Sequence, residues 1–462
     1  MYHYEEKTEI VKPKRASKES WIALTFLWII FAINANGREL TNRVLPYISN
    51  TYNIGPDKAG LIGTVCGITM ALGAIPLARW FDNGEHGWAT KKRGCIISMS
   101  YVVFMALTGI TPLTGTFTMI LIWQGLRGFF SAPGECGEVG SVAEWWPREK
   151  TGFAIGIHHA AYPWGSLIGG IIISGVLMIF GDSNWRYAFL VFPIIAIVTW
   201  FAYYKWATLD RYKNFEQHTR ASGFTCPLDY DPSEESVSNG SSSGSLIRCL
   251  KNPNISAVAL VAFLCQFAYI AFLFWMPAYL AFVANYSYAA AASLSVVYAI
   301  TGGLGQIFWG NYSDKIGPKK TMIICCIWLA IAFYLMQFIT ISLFWLVALQ
   351  LLLGCCSNAV YPVMYKYVAE SSERGAIVTG NGVLTTGMFS GAAVATLVTG
   401  WLIQLGGGWS SMSGYYAGLY TMTGAMILAL AVVILFTRET NGPKFKKDFS
   451  LVSLKSCNLD KE

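Results

Sequence analysis

Apolar residues occur in this sequence as repeated blocks of about 20 residues, separated by short polar stretches. Because an α-helix rises 1.5 Å per residue, about 20 residues are needed to cross the hydrocarbon core of a bilayer. The composition agrees, since 54% of the 462 residues are hydrophobic and only 13% are charged, about half the charge of soluble domains. The sequence therefore predicts an all-α, multi-pass membrane protein and excludes an ordinary soluble enzyme.

The apolar blocks form two groups of six, and the longest polar stretch separates the groups. An even number of spans places both ends of the chain on one side of the membrane. We expect a tail at 1–19, a first six-helix bundle at 20–206, a linker at 207–252, a second bundle at 253–437 and a tail at 438–462. The twelve predicted spans are 20–48, 57–80, 93–113, 116–146, 151–180 and 186–206, then 253–284, 287–312, 320–340, 342–369, 376–406 and 412–437.

Basic residues indicate which side of the membrane the two ends face. Cytoplasmic loops carry an excess of Lys and Arg, and the loops on the other side of this chain hold only Lys58 and Arg186. We therefore expect both termini in the cytoplasm, and a location in the cell (inner) membrane. The residues behind this prediction are Lys7, Lys12, Lys14, Arg15, Lys18, Lys91, Lys92, Arg93, Arg148, Lys150, Lys315, Lys319, Lys320, Arg374, Lys444, Lys446 and Lys447.

The same charge pattern argues against a nucleic-acid partner, although the formal net charge is +7. The basic residues lie between apolar blocks rather than along one face. The 11 cysteines show no CxxC spacing and have apolar neighbours, which is typical of core residues rather than metal ligands. No GxxxxGK[ST], HExxH or GxSxG motif occurs. We expect no cofactor, no enzyme activity, and a monomer surrounded by lipid.

The predicted linker has a distinctive composition in its middle. It reads DYDPSEESVSNGSSSGS, which is rich in Ser, Gly and acidic residues and typical of a flexible linker. Two interpretations remain open: a tether between the two bundles, or a regulatory docking segment.

Two short basic loops at corresponding places indicate an internal repeat. The loop after the eighth predicted span reads GNYSDKIGPKK, and the loop after the second reads LARWFDNGEHGWATKKR and contains Asp82. Duplicated halves of this kind are typical of transporters. The fourth and tenth spans also match weakly, at Gln124/Gln350, Gly128/Gly354 and Ser131/Ser357.

The segment GNYSDKIGPKK resembles the signature loop of the major facilitator superfamily, and the resemblance covers essentially the whole chain. It implies a twelve-helix fold of two pseudo-symmetric six-helix halves that works by alternating access, with this loop as a conformational latch. We expect Gly310 to allow a close approach of two helices and Gly317 to allow a tight turn. The residues implied in the latch are Asp82, Gly310, Asp314, Gly317, Lys319 and Lys320.

Three further segments resemble one branch of that superfamily, the anion:cation symporters, which carry anions such as sugar acids. They read INANGRELTNRVLPYI in the first span, FLFWMPAYL in the seventh and AEWWPREKTGFAIGI after the fourth. Two residues depart from the branch pattern. Gly37 stands where the branch usually has an aspartate that takes part in proton coupling, and Glu135 lies one residue beyond the usual offset from Arg127.

Two arginines within the first bundle are candidates for substrate binding. A charge at the bilayer centre costs about 2.5–3.5 kcal/mol on insertion scales, so Arg38 in the first span and Arg127 in the fourth require an explanation. The planar guanidinium group suits a carboxylate or phosphate. The alternative for both arginines is a structural ion pair with a glutamate.

Acidic and histidine residues near these arginines are candidates for proton coupling. Glu138 lies three turns from Arg127 on the same helical face, and Glu135 lies nearby. Burial favours a neutral carboxyl group whereas a nearby arginine favours a charged one, so a bound anion can shift the balance. His158 is either a proton relay or a packed core histidine, and we expect Glu39 to be interfacial or structural.

The second bundle offers polar and aromatic groups in place of deep charges. We expect these side chains to bind hydroxyl groups of an anion that is held by the arginines of the first bundle. The alternative for each is a hydrogen bond between packed helices. The candidates are Gln266, Tyr269, Asn358, Tyr361 and Asn381.

These observations together predict a secondary carrier that moves a small organic anion, a carboxylate or sugar acid, across the membrane with protons. The departure at Gly37 keeps an antiporter or exporter of another small molecule as the alternative. A membrane sensor that transports nothing is a third, weaker possibility.

Overall fold

The computed structural model of the chain describes residues 15–82, 91–132, 138, 141–147, 150–227, 242–372 and 377–440. These residues form helices and short connections, without strands. The helices of the first part are α1 (Lys18–Arg43), α2 (Leu45–Tyr52), α3 (Pro56–Asp82), α4 (Lys91–Thr108), α5 (Phe117–Ser131), α6 (Thr151–His159), α7 (Ala161–Phe180), α8 (Ala188–Trp206) and α9 (Leu209–Ala221). The second part contains α10 (Ser242–Lys251), α11 (Pro253–Phe282), α12 (Tyr288–Leu294), α13 (Ala299–Ile316), α14 (Pro318–Leu335), α15 (Leu343–Ser357), α16 (Val360–Ser371), α17 (Ile377–Leu405) and α18 (Met412–Phe436).

The helices confirm the predicted twelve-span architecture. Within the described ranges, nine helical segments are long and apolar enough to cross a bilayer, and α3, α4 and α5 complete the twelve. Four predicted spans are each divided into two helices: α1 with α2, α6 with α7, α12 with α13, and α15 with α16. Pro163 and Pro362 lie in the first turns of α7 and α16, where a missing backbone N–H costs least.

Part of the predicted linker is folded, which differs from the flexible tether that its composition favours. Helix α9 buries Tyr212, Phe215 and Thr219, and the Tyr212 ring packs edge-on against Trp145 with 5.3 Å between ring centroids. These residues recur every three or four positions, so one helical face is apolar enough to bind the first bundle. The acidic and Ser-rich middle of the linker lies outside the described residues.

Both described ends of the chain lie on one face of the bundle. The Tyr367 hydroxyl at the end of α16 donates to the carbonyl of Arg438 at 2.7 Å and to Asn254 Oδ1, at the start of α11, at 3.1 Å. At the other end of the helices, Asn50 Nδ2 donates to the Tyr288 hydroxyl at 2.7 Å. We call the face that holds the described ends the terminal face and the opposite one the distal face.

The two halves are joined tightly from the distal face inward, through α3 and α17. The Thr64 hydroxyl donates to the carbonyl of Ala393 at 2.8 Å, and Trp409 Nε1 donates to the carbonyl of Ile54 at 2.9 Å. A Cβ atom at Gly60 would lie 2.6 Å from the carbonyl oxygen of Thr396. The close approach of these two helices therefore depends on a residue without a side chain.

The weak internal repeat has a counterpart in the packing. A Cβ atom at Gly128 in α5 would lie 2.8 Å from the carbonyl oxygen of Cys66 in α3, and one at Gly354 in α15 would lie 2.0 Å from that of Tyr298. The fourth span therefore packs against the second as the tenth packs against the eighth. This arrangement supports a duplicated unit.

The signature loop is held by its own half in this conformation. Gly317 has φ +98°, which confirms the tight turn between α13 and α14. Lys319 Nζ donates to the carbonyls of Ile434 and Thr437 at 3.0 and 2.6 Å, at the C-terminus of α18 where a cation is stabilised. A Cβ atom at Gly310 meets no described atom within 4 Å, so the close approach expected there stays a prediction. The side chains of Asp82 and Asp314 lie outside the described part, so the latch stays a prediction.

Helices α1 and α4 meet at Gly37. A Cβ atom at this position would lie 1.2 Å from the hydroxyl oxygen of Tyr101, and that hydroxyl donates to the carbonyl of Asn34 at 3.3 Å. The buried Tyr101 ring therefore occupies the volume that a side chain at position 37 needs. An aspartate cannot be placed there unless the Tyr101 side chain moves.

We expect Gly37→Ala to lower the melting temperature of the purified protein, because overpacking a buried contact costs about 1–3 kcal/mol. The double variant Gly37→Ala/Tyr101→Ala should lose less stability than the sum of the two single changes, since the methyl group then has room. Additive losses in thermal unfolding would show that the two positions are not in contact.

We also expect Thr64→Cys/Thr396→Cys to form a disulfide on oxidation, because the two threonine hydroxyl oxygens lie 3.2 Å apart, which places sulfur atoms at these positions within disulfide reach. Counting maleimide adducts after denaturation tests the bond, and the two single-cysteine variants are the controls. The oxidised double variant should carry two fewer adducts than its reduced form. Equal numbers would contradict the packing of α3 on α17.

Candidate functional site

Arg38 lies on α1, partly buried, at the centre of the first half. Its Nη2 donates to the carbonyl of Ser131 at the end of α5, at 2.8 Å. It also interacts electrostatically with Cys66 on α3 and Tyr101 on α4, and with Tyr162 on α7. Four helices therefore surround this guanidinium group, as expected for a residue that faces the middle of the bundle.

Arg127 on α5 is more deeply buried, with 1% of its surface exposed. It donates to the Thr41 hydroxyl and to Gln124 Oε1, and its guanidinium carbon lies 5.4 Å from the centre of the Phe189 ring. Its Nη1 has no hydrogen-bond partner among the described residues. Arg127 also forms no ion pair with a described carboxylate; Glu135 lies outside the described residues, so the alternative of a structural ion pair stays open.

The two arginines share one electrostatic environment. Both interact with the same two groups, the Cys66 thiol and the Tyr101 hydroxyl. Two guanidinium groups that share neighbours within a bilayer repel each other and lose the hydration that water would supply. The pair therefore concentrates positive charge at one place in the first half.

Glu138 and His158, which the sequence analysis named separately, form a buried pair. Glu138 Oε2 lies 3.3 Å from His158 Nε2, and the two side chains are 5% and 0% exposed. The His158 ring stacks on Phe31 with 4.6 Å between centroids. A narrow crevice next to Glu138, lined also by Asn34 and Tyr101, has room for about one water molecule. Glu135 lies outside the described residues and stays a prediction.

A second buried ion pair lies further along α1 and was not assigned a functional role from the sequence. Arg43 Nη2 lies 2.5 Å from Glu39 Oε2, and Arg43 also donates to Asn36 Oδ1 at 2.8 Å and to the Ser166 hydroxyl at 2.6 Å. Gly165 permits this contact, because a Cβ atom there would lie 2.8 Å from the Cα atom of Ala32. The i,i+4 spacing of an acid and a base is the sequence signal for such a pair.

The second half places its polar candidates around Tyr269. The hydroxyls of Tyr269 and Tyr298 lie 3.3 Å apart, the Tyr361 ring centroid lies 6.3 Å from that of Tyr269, and Asn358 interacts with the Tyr269 hydroxyl. Gln266 on α11 and Asn381 on α17 lie on helices of the same half. The structure therefore brings Tyr269, Tyr361 and Asn358 together.

Several amide oxygen atoms of this half accept no hydrogen bond from the described residues. They are Gln266 Oε1, Gln306 Oε1 and Asn381 Oδ1. Gln306 was not singled out in the sequence, where it appears only as a polar residue in a Gly-rich span. Its Nε2 donates to the carbonyl of Asn358 at 3.4 Å, which joins Gln306 to the group around Tyr269.

The polar groups of the two halves face each other across their boundary. Glu39 of the first half interacts electrostatically with Tyr269 and Tyr298 of the second. The Asn358 side chain lies beside Gly302, and a Cβ atom at Gly302 would lie 3.5 Å from Pro163 on α7. One site between the halves can therefore present guanidinium groups on one side and amides and hydroxyls on the other.

Comparison with known proteins agrees with this architecture. The model of the Major Facilitator Superfamily matches residues 27–297 and 284–457. The chain is similar to the hexuronate transporter of Bacillus subtilis, with 21% identity over 92% of this chain and 96% of that protein. It is also similar to putative glycerol-3-phosphate transporter 1 of Arabidopsis thaliana, with 24% identity over 82% of this chain and 76% of that protein.

A solved structure shares the fold. It is a bacterial homolog of the human lysosomal transporter Spinster, in an inward-facing and unoccupied conformation, with a TM-score of 0.68 and 18% identity over 91% of this chain and 97% of that chain. The family and the relatives are transporters, not enzymes. The chain belongs to the Major Facilitator Superfamily.

Proposed function

We propose that this transporter moves a small organic anion together with protons, by alternating access, and that Arg38 and Arg127 bind the acid group. The observation that carries the proposal is the state of Arg127, which is 1% exposed and ion-pairs with no described carboxylate. A buried positive charge without a counterion is costly. A carboxylate or phosphate that enters beside Arg38 supplies the missing charge and accepts charge-assisted hydrogen bonds.

The second half favours an anion that also carries hydroxyl groups. Gln306 Oε1 and Gln266 Oε1 are hydrogen-bond acceptors without donors among the described residues. An amide oxygen accepts but cannot donate, so its partner must bring an O–H or N–H group. Sugar acids and sugar phosphates supply such hydroxyls, whereas benzoate has none. Asn358, Tyr269, Tyr361 and Asn381 complete the proposed binding surface.

The Glu138–His158 pair is the proposed proton site on the terminal side of the arginines. His158 lies seven residues into α6, about 10 Å from its start at 1.5 Å per residue, and it shares one hydrogen-bonding contact with Glu138. A carboxylate and an imidazole in contact can hold one proton between them. Glu135 is an alternative carrier on the same segment.

The same proposal assigns an orientation in the membrane and a role to the latch loop. Both termini face the cytoplasm, because the terminal face carries the basic loops. The loop from Gly310 to Lys320, together with Asp82, acts as the latch on that face. The closed distal face, held by Asn50 and Tyr288, then corresponds to a conformation that opens toward the cytoplasm. Exchange against another solute is the competing mechanism, and Gly37 favours it.

We expect Arg38→Ala to abolish stabilisation by anions, because the alanine removes the more exposed of the two guanidinium groups. The measurement is thermal unfolding of the purified protein with D-glucuronate, glycerol 3-phosphate, glucose 6-phosphate or benzoate. A ligand at 100 times its Kd stabilises a protein by about 2.7 kcal/mol, which is readily seen. Arg38→Lys should restore little, since an ammonium group lacks the planar fork.

Arg211→Ala is the matched control for this experiment, because Arg211 is exposed on α9, outside the bundle core. It should respond to each anion as the wild type does. The proposal is wrong if Arg38→Ala keeps the full stabilisation, or if none of the four anions stabilises the wild type.

We expect Gln306→Leu to weaken binding of D-glucuronate about tenfold or more, which corresponds to 1.4 kcal/mol and one lost hydrogen bond. Any weak binding of benzoate should be unchanged, since benzoate has no hydroxyl for Gln306 to accept from. Equilibrium binding of both compounds tests this, with Gln337→Leu near the distal end of α14 as the control. A parallel loss for both compounds would contradict a hydroxyl-reading role.

A further inference from the structure

Glu39 is buried within a cluster of polar groups that is larger than its ion pair with Arg43. The residue is 4% exposed, and its Oε2 is held by Arg43 and by the Ser166 hydroxyl. Its Oε1 accepts no hydrogen bond that meets normal geometry among the described residues. One oxygen of this buried carboxylate is therefore stabilised, while the other is available to carry a hydrogen.

The groups around Glu39 belong to both halves of the carrier. From the first half, α1 supplies the charges of Arg38 and Arg43, and α7 supplies Tyr162, whose hydroxyl interacts with the Glu39 carboxylate. From the second half, Tyr269 and Tyr298 both interact electrostatically with Glu39. The electrostatic environment of Glu39 therefore changes whenever the halves move relative to each other.

The position of Glu39 differs from that of Glu138. Glu39 lies eight residues after Phe31 on α1, and the His158 ring stacks on Phe31, so Glu39 lies about 12 Å further from the terminal face than the Glu138–His158 pair. Tyr162 connects Glu39 to the proposed anion site, because it interacts with both Glu39 and Arg38. The negative charge of an anion bound at Arg38 therefore changes the electrostatic potential at Glu39.

We propose that Glu39 is a second proton-binding site of this carrier, located at the boundary between the halves, and that it takes up a proton when an anion binds at Arg38. This inference rests on the proposed function. The anion adds negative charge next to Glu39, so the neutral acid becomes favourable there. The proton forms an O–H bond at Oε1, which can donate to the Tyr162 hydroxyl, and Oε2 keeps its bonds to Arg43 and Ser166.

Release of the proton completes the cycle and restores the ion pair. When the anion leaves Arg38, the neighbouring positive charges again favour the carboxylate. Glu39 then loses its proton to water in the open cleft, and the full charge pair with Arg43 re-forms. One proton thus crosses with each anion without any oxidant, reductant or other co-reactant.

The test compares Glu39→Gln with the wild type in proteoliposomes. The four anions named above are the probes, and Glu19→Gln, in the first turn of the same helix, is the matched control. Glutamine keeps the hydrogen bond from Arg43 but carries no proton. We expect Glu39→Gln to exchange labelled anion at equal pH on both sides, and to lose accumulation driven by a pH gradient. Accumulation equal to that of the wild type overturns the inference.

A spectroscopic measurement on the solubilised protein does not depend on transport. Acidification should produce the infrared bands of protonated buried carboxylic acids, and Glu39→Gln should lack one band that Glu138→Gln keeps. If that variant does not fold, Ser166→Ala should shift the frequency of the band, because it removes a donor to the same carboxyl group. The inference is overturned if Glu39→Gln keeps every carboxylic acid band of the wild type, or if Ser166→Ala leaves every band unchanged. If the wild type exchanges none of the four anions, the proposed function fails, while the infrared result still decides the role of Glu39.

Discussion

The arrangement of this protein depends on the cost of keeping charged groups away from water inside a bilayer. The first half keeps Arg38, Arg43 and Arg127 at membrane depth, with Glu39 and Glu138 as the described carboxylates beside them. Arg43 is balanced by Glu39 at 2.5 Å, and Glu138 contacts His158. Arg127 has no such balance among the described residues. In the proposed function, a bound anion offsets this cost.

The sequence predicted the architecture well because hydrophobicity alone determines it. Blocks of about 20 apolar residues can only be membrane helices, and the even count places both ends on one face. The breaks inside spans were not predicted, because a proline in a first turn is compatible with a continuous apolar pattern. Helix α9 was missed for a different reason. The Ser-rich residues beside it dominated the composition of the linker, whereas Tyr212 and Phe215 bind the first bundle through a short apolar face.

The site was predicted in part, and the difference is again physical. Charged residues in apolar spans are easy to find, so Arg38, Arg127, Glu138 and His158 were identified from the sequence. Gln306 was not, since a single amide in a membrane helix usually bonds to a neighbouring helix, and only the structure shows that its Oε1 has no described partner. Likewise, the spacing of Glu39 and Arg43 reveals the pair but not the tyrosines of the other half that surround it.

The location of a bound anion tests the central claim most directly. An experimental density map of the protein with the anion that stabilises it most should place the acid group about 3 Å from the Arg38 guanidinium, at hydrogen-bond distance. The hydroxyl groups should then point toward Gln306 and Asn358 of the second half. An acid group bound elsewhere, with Arg38 and Arg127 enclosed by packed side chains as before, would contradict the account.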